Sequence, residues 1–252
     1  MALNEKNKVA QEAQEQMAGD QDYFDQFTGD GLETFTQDTV SMAYLGMVQP
    51  GSGPTLSGHE PGTWRNSSTE ENYGPEEEFR VLAFKTVWTE RSKDPPYNTV
   101  GRYDPRSIEV NVEYPKPGTR GFPKMTNPLT GNKVEELFVY ACMRASDPEG
   151  GIMYFSPTVG SMRTCKQWNA QLRSQRRPDG KRAAIWEYSW FLTLELVQNP
   201  AKPAEKIARF SKVRRGERVT IEVAKEYVVP LISAANNVAL LAAPEMSGDT
   251  AD

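Results

Sequence analysis

The chain has 252 residues, 38% of them hydrophobic and 10% aromatic, which suffices for one large domain and excludes a wholly disordered polymer. No run approaches the roughly 18 uninterrupted apolar residues of a membrane span, and the polar Glu/Gln/Ala start lacks the apolar core of a signal peptide, so a cytoplasmic protein without membrane contact is expected. The formal net charge of −5 is divided unevenly: residues 1–80 hold four bases and fifteen acids, residues 81–220 hold 24 bases and 14 acids, and residues 221–252 hold one base and five acids.

Residues 1–18 favour helix but offer only Leu3, Val9 and Met17 as larger apolar groups, too few to fix a helix in place. After an acidic link, Asp38 is placed to cap a short helix through Thr39–Val48 that ends at Gln49-Pro50-Gly51. Residues 50–78, rich in Gly, Pro and Ser, read as irregular and contain Trp64 and Tyr73. From Phe79 the period becomes two, with Leu82, Phe84, Thr86 and Trp88 on one face of a strand and Val81, Ala83, Lys85 and Val87 on the other. A second strand, Ser107–Tyr114, sets Ile108, Val110, Val112 and Tyr114 on a buried face. A third spans Leu137–Arg144, and a fourth, Gly151–Ser156, follows the turn at Asp147–Gly151 as its hairpin partner. Ser161 caps a helix that carries Met162, Cys165, Trp168 and Leu172 at helical spacing and ends by Pro178. Trp186, Tyr188, Trp190, Leu192, Leu194 and Leu196 then alternate on a strand and read as core. A strand over Lys206–Val213 and a helix over 220–240, interrupted at Pro230, complete the body.

These elements predict a mainly β (α+β) fold: a partly closed barrel of five or six strands with an internal helix, long loops and a C-terminal helix. The five-stranded oligonucleotide-binding (OB) barrel is the simplest example. Phe84, Val110, Val139, Trp190, Leu192 and Leu194 are expected in its core. The chain divides into an acidic extension over 1–35, one domain over 36–243 and a short acidic tail over 244–252.

Cys142 and Cys165 are too few for a disulfide scaffold and read as reduced thiols. The single histidine, His59, sits in a loop with no zinc-ligand spacing around it, and there is neither a nucleophile elbow nor a phosphate loop. The expectation is a non-enzyme with no metal and no cofactor.

Acidic ends around a basic body suit a protein whose body meets a polyanion; a solvated surface of uneven charge is the plainer alternative. Two constellations match single-stranded nucleic acid, which needs cations for phosphates and flat rings for unstacked bases. One is Lys85, Trp88, Arg91, Tyr97, Arg102, Tyr103 and Arg120. The other is the helix and its exit, Arg163, Lys166, Arg173, Arg176 and Arg177, where Asp179 is the one acid between residues 160 and 182. If one strand of DNA contacts both, they must line one surface. A third run, Lys206, Arg209, Lys212, Arg214, Arg215 and Arg218, extends that path or guards an edge strand.

The order of Gly31-Leu32-Glu33 and Asp38, Trp64-Arg65-Asn66, the strand Phe79–Trp88, Asn127-Pro128-Leu129-Thr130-Gly131, and Trp168-Asn169 before a basic stretch resembles the single-stranded DNA-binding proteins of tailed bacteriophages, over residues 24–235. The resemblance implies an OB barrel with elaborated loops that coats single-stranded DNA without sequence preference during phage DNA replication or recombination, in the cytoplasm of the infected host. Self-association, and replication proteins recruited through the acidic termini, would accompany that role. Pro244–Asp252 departs from the family's acidic tail in having no terminal aromatic, which weakens the recruitment expectation. A virion structural protein, such as a capsid-decorating or connector subunit, is the main rival, and an enzyme acting on nucleic acid comes third.

Overall fold

Alternating side chains from Glu76 to Arg91 build the longest strand, β4, which lies in the middle of the sheet. Successive side chains of a strand point to opposite faces, yet Val81, Leu82, Ala83 and Phe84 are all buried, so both faces of β4 are covered. The computed structural model describes residues 43–94, 98–105, 107–117, 123–157, 159–199 and 202–238; the acidic extension, the tail and the helix expected over 1–18 lie outside them. The protein is mainly β, and its sheet curls into a half-barrel.

Ten further strands complete the sheet: β1 (Ala43–Met47), β2 (Trp64–Asn66), β3 (Asn72–Gly74), β5 (Thr99–Tyr103), β6 (Asn111–Glu113), β7 (Lys124–Thr126), β8 (Lys133–Arg144), β9 (Met153–Phe155), β10 (Tyr188–Gln198) and β11 (Lys206–Arg218). Their order is β11-β10-β4-β8-β9-β1-β2-β3, with β5 beside β4 and the β6–β7 hairpin beside β8. Among the described residues every pairing is antiparallel except β1 with β9.

The central helix, Met162–Ser174, fills the curl. Its inner flank buries Met162, Cys165, Trp168 and Leu172, as the helical spacing predicts. Trp168 stacks on Tyr140 of β8 at 4.5 Å and meets Trp190 of β10 at 6.3 Å and Phe210 of β11 at 5.8 Å, both edge-on. The Tyr140 hydroxyl donates to Asn169 Oδ1 at 2.8 Å, which satisfies two polar groups in the core. Both cysteines are buried free thiols, and burial pushes Cys165 up to about 12, so neither is poised as a thiolate. Ser161 stands at the helix start without capping it; its Oγ instead accepts from the Phe210 amide at 3.2 Å and ties the helix to β11.

The structure departs from the sequence reading where a neighbouring element decides the outcome. Residues 43–47 of the expected Thr39–Val48 helix form strand β1, because they lie between β9 and β2 and take up both backbones' hydrogen bonds; residues 39–42 lie outside the described set. The 50–78 segment is not irregular throughout: it folds into β2, β3 and the start of β4, and Trp64 is fully buried, its Nε1 donating to the Leu192 carbonyl at 2.9 Å. The strand expected over Ser107–Tyr114 shrinks to Asn111–Glu113 with all three residues exposed; Val110 is half-buried, while Val112 and Tyr114 are exposed, since no layer among the described residues covers this hairpin arm. The other five predicted core residues are buried, as are Trp186 and Tyr188, whereas Leu196 is exposed. The last helix runs through Pro230 without a break. Its segments are Ile221–Val223, a π-helical Ala224–Val228 and Val229–Val238, and the widened turn absorbs the clash that proline makes with the preceding turn.

Candidate nucleic-acid interface

The outer flank of the central helix carries Arg163, Lys166, Ala170 and Arg173 at steps of three and four, a single solvent-facing stripe with no acid anywhere in the helix. Lys166 makes one loose contact, 3.9 Å to Glu136, with both groups well exposed. Arg173 lies 5.5 Å over the Phe84 ring, and Arg176 donates to the Gly180 carbonyl at 3.0 Å. On adjacent β11, Arg215 sits 4.4 Å over the Tyr188 ring. Among the described residues, none of Arg163, Arg173, Arg176 and Arg215 has a carboxylate partner.

Strand register decides which other residues share this side. Phe84, under Arg173, and Trp88, whose register partner is Glu136, stand on the helix side of β4. Tyr103 pairs with Trp88 and therefore joins them. One row along, Val112, Met125, Val134 and Glu90 are successive register partners, so Val112 faces the same way. Tyr114, just past the end of β6, is 74% exposed. Trp88 thus offers a partly open ring beside the cationic stripe, and Tyr114 a largely open one at the end of the neighbouring hairpin arm.

The two expected constellations do not merge whole. Lys85 and Arg91 occupy the odd positions of β4, and Arg102 pairs with Thr89, so all three project from the opposite side of the sheet. There Arg91 bonds Thr99 at 2.7 Å and pairs with Glu135 at 3.5 Å, while the Lys85 ammonium is lowered by burial against the opposing pull of Asp104. Tyr97 and Arg120 lie outside the described residues.

Tyr103 is on the helix side but committed elsewhere. Its ring passes over Gly101, where any Cβ would strike it, and its hydroxyl donates to Glu90 Oε2 at 2.9 Å. Asn127 Nδ2 gives Oε2 a second bond at 2.8 Å, while Thr130 Oγ1 and Asn132 Nδ2 supply Oε1 at 2.6 and 2.7 Å. Burial alone would raise the Glu90 carboxyl, but the four donors outweigh it and hold it at about 2. This buried carboxylate locks β5 and the Asn127–Asn132 turn onto β4, and both its oxygens are fully engaged.

Arg177 is corrected outright. It is 0% exposed and forks onto Glu187, with Nε at 2.9 Å from Oε2 and Nη2 at 2.7 Å from Oε1; the Ala184 amide and Arg218 complete the cluster. A guanidinium in this position ties the 176–182 hairpin to the sheet and presents no charge to solvent.

Where the last turns of the helix approach β10 and β11, a shallow groove of about 460 Å³ opens between Gln171, Ser174, Gln175, Arg176, Trp190, Val213 and Arg215. It lies at the C-terminal end of the cationic stripe. The third basic run signalled Arg215, though not its place beside the helix. Tyr114 carried no signal, because alternation alone assigned it to the core.

In comparisons with known proteins, the chain matches no protein family, no curated protein and no solved structure. Among the described residues no three His, Cys, Asp or Glu side chains gather to hold a metal, and no helix is long and apolar enough to cross a membrane. The chemistry of the helix side therefore carries the functional assignment.

Proposed function

We propose that this protein binds single-stranded DNA without sequence preference, along the central-helix side of its sheet, and serves to coat it during phage DNA replication or recombination. One observation carries the reading: among the described residues, Arg163, Arg173, Arg176 and Arg215 line one side of the molecule without carboxylate partners, and the partly open ring of Trp88 stands on that side. Unpaired cations repel one another, and a phosphate backbone relieves that repulsion while releasing its counterions. Open rings beside the cations receive bases of any identity, because every base has a stacking face. The path comprises Arg163, Lys166, Arg173, Arg176, Arg215, Trp88 and Tyr114; Arg177, Lys85, Arg91 and Arg102 fall outside it.

The test is fluorescence anisotropy of labelled oligo(dT) and of a matched duplex over a salt series. Tighter binding to the single strand, with log affinity falling linearly against log salt, is the expected result. No binding to oligo(dT) at low salt overturns the reading and moves a virion structural role ahead.

A further inference from the structure

The β6–β7 hairpin arm carries a pattern that its own fold leaves unused. From Ile108 to Tyr114 apolar and polar residues alternate without a break, Ile108, Val110, Val112 and Tyr114 against Glu109, Asn111 and Glu113, as in a strand with one face covered. Of this run Asn111–Glu113 pairs, and on one side: among the described residues β6 meets β7 and no other strand. Val112 is 42% exposed, and Tyr114 more so. The outer edge of β11 is built differently. There Gln49 bonds the backbone of Ala208 both ways, Oε1 accepting from the amide at 2.8 Å and Nε2 donating to the carbonyl at 3.0 Å, the Phe210 amide is taken by Ser161, and Lys212, Arg214 and Arg215 follow. Such caps and charges keep an edge from pairing. Residues 108–114 contain no lysine, arginine or proline, and Pro115 closes the run.

An open strand pairs well with an identical one where the register brings no like charges together. In an antiparallel pair, residues directly opposite each other either both aim their backbone groups across the gap or both aim them away, so a two-fold axis between two β6 strands passes through a residue. Through Asn111 it sets Glu109 opposite Glu113, and through Glu113 it sets that carboxylate opposite itself. Through Val110 it leaves Tyr114 beyond the apolar run of the second strand. Through Val112 it sets Val112 against Val112, Val110 against Tyr114 and Asn111 against Glu113: an apolar pair, an aromatic–β-branched pair and an amide facing a carboxylate.

We propose that this protein dimerises through β6, two copies pairing antiparallel about an axis through Val112 and joining their sheets edge to edge. The interface uses the same patch on both copies and closes on itself, so assembly stops at two. The axis stands perpendicular to the joined sheet, which sets the central-helix sides of both copies on one side of the dimer. Cross-strand neighbours pack flank to flank, so each Tyr114 ring is lined by Val110 of the other copy and stays open towards that side. The pairing does not depend on what the cationic stripe binds.

Sedimentation equilibrium of the full-length protein without DNA should show a monomer–dimer equilibrium and nothing larger. Val112→Glu, which puts two carboxylates on the axis, should weaken the dimer by about tenfold or more with an unchanged circular dichroism spectrum, since Val112 lies outside the core. Cysteine variants read the register. With diamide as the oxidant, Val112→Cys should close a disulfide between two copies; Asn111→Cys and Glu113→Cys should each fail alone, their own counterparts lying diagonally at about 7–8 Å, yet crosslink when mixed. Cys142 and Cys165 are buried and do not compete. A protein monomeric up to about 1 mM, open-ended assembly, a dimer indifferent to Val112→Glu, or Asn111→Cys crosslinking alone as readily as Val112→Cys overturns the proposal. A dimer that forms as described while oligo(dT) stays unbound leaves the pairing standing and the strand reading overturned, and oligo(dT) binding by a protein that never dimerises does the reverse.

Discussion

On one side of the sheet Arg91, Lys212 and Arg214 meet Glu135, Glu195 and Glu76; on the other, Arg173, Arg176 and Arg215 rest on rings or a carbonyl, and Arg163 has no carboxylate partner among the described residues. The two sides draw on the same basic stretches of sequence. Strand β11 alone contributes Arg214 to the paired side and Arg215 to the unpaired one, because neighbouring positions on a strand face opposite ways. Composition along the chain therefore says little about which charges remain available. A paired surface charge contributes modestly to stability, while a row of exposed like charges is a repulsion that salt screens and an anionic partner relieves.

The contrast between the sides is sharpest at Arg177, a cation buried in the core against a carboxylate. Glu187→Ala removes the carboxylate that Arg177 forks onto in the core and should destabilise the fold by about 3–5 kcal/mol in urea unfolding, whereas removal of exposed Arg163 should leave the unfolding midpoint unchanged. Next comes acid. The Glu90 carboxyl sits at about 2 when folded, against an ordinary value of 4.5, so its contribution is complete above pH 4.5 and is lost as pH falls towards 2. Melting temperature followed through that window should drop in the parent protein and change less in Glu90→Gln; identical curves would show that the four donors do not hold the charge.

For the unpaired side, the Arg163→Ala, Lys166→Ala, Arg173→Ala variant should flatten the slope of log affinity for oligo(dT) against log salt by about 0.7 for each phosphate no longer neutralised. Trp88→Ala or Tyr114→Ala should weaken binding by about 1–3 kcal/mol with that slope preserved, since stacking displaces few ions. Smallest of all, Lys212→Ala with Arg214→Ala on the paired side should leave both affinity and slope where they were. A weakening there equal to that of the helix variant would erase the distinction between the two sides.

Periodicity made the central strand, the buried tryptophan-leucine face of β10, the amphipathic helix and its cationic stripe legible in the sequence, because each is a property of a few consecutive residues and the backbone's own repeat. The same repeat already separated Lys85 and Arg91 from Trp88, so a single groove joining them was at odds with the alternation. Other features depend on what the chain brings alongside. β1 is a strand because β9 and β2 flank it, Trp64 is core because Leu192 accepts its hydrogen bond, Arg177 is buried because Glu187 waits ten residues away, and Tyr114 is exposed because no described residue covers its hairpin. Alternation fixes which side of a strand a residue faces, but only the packing of distant segments decides whether that side is covered, neutralised or left open to a partner.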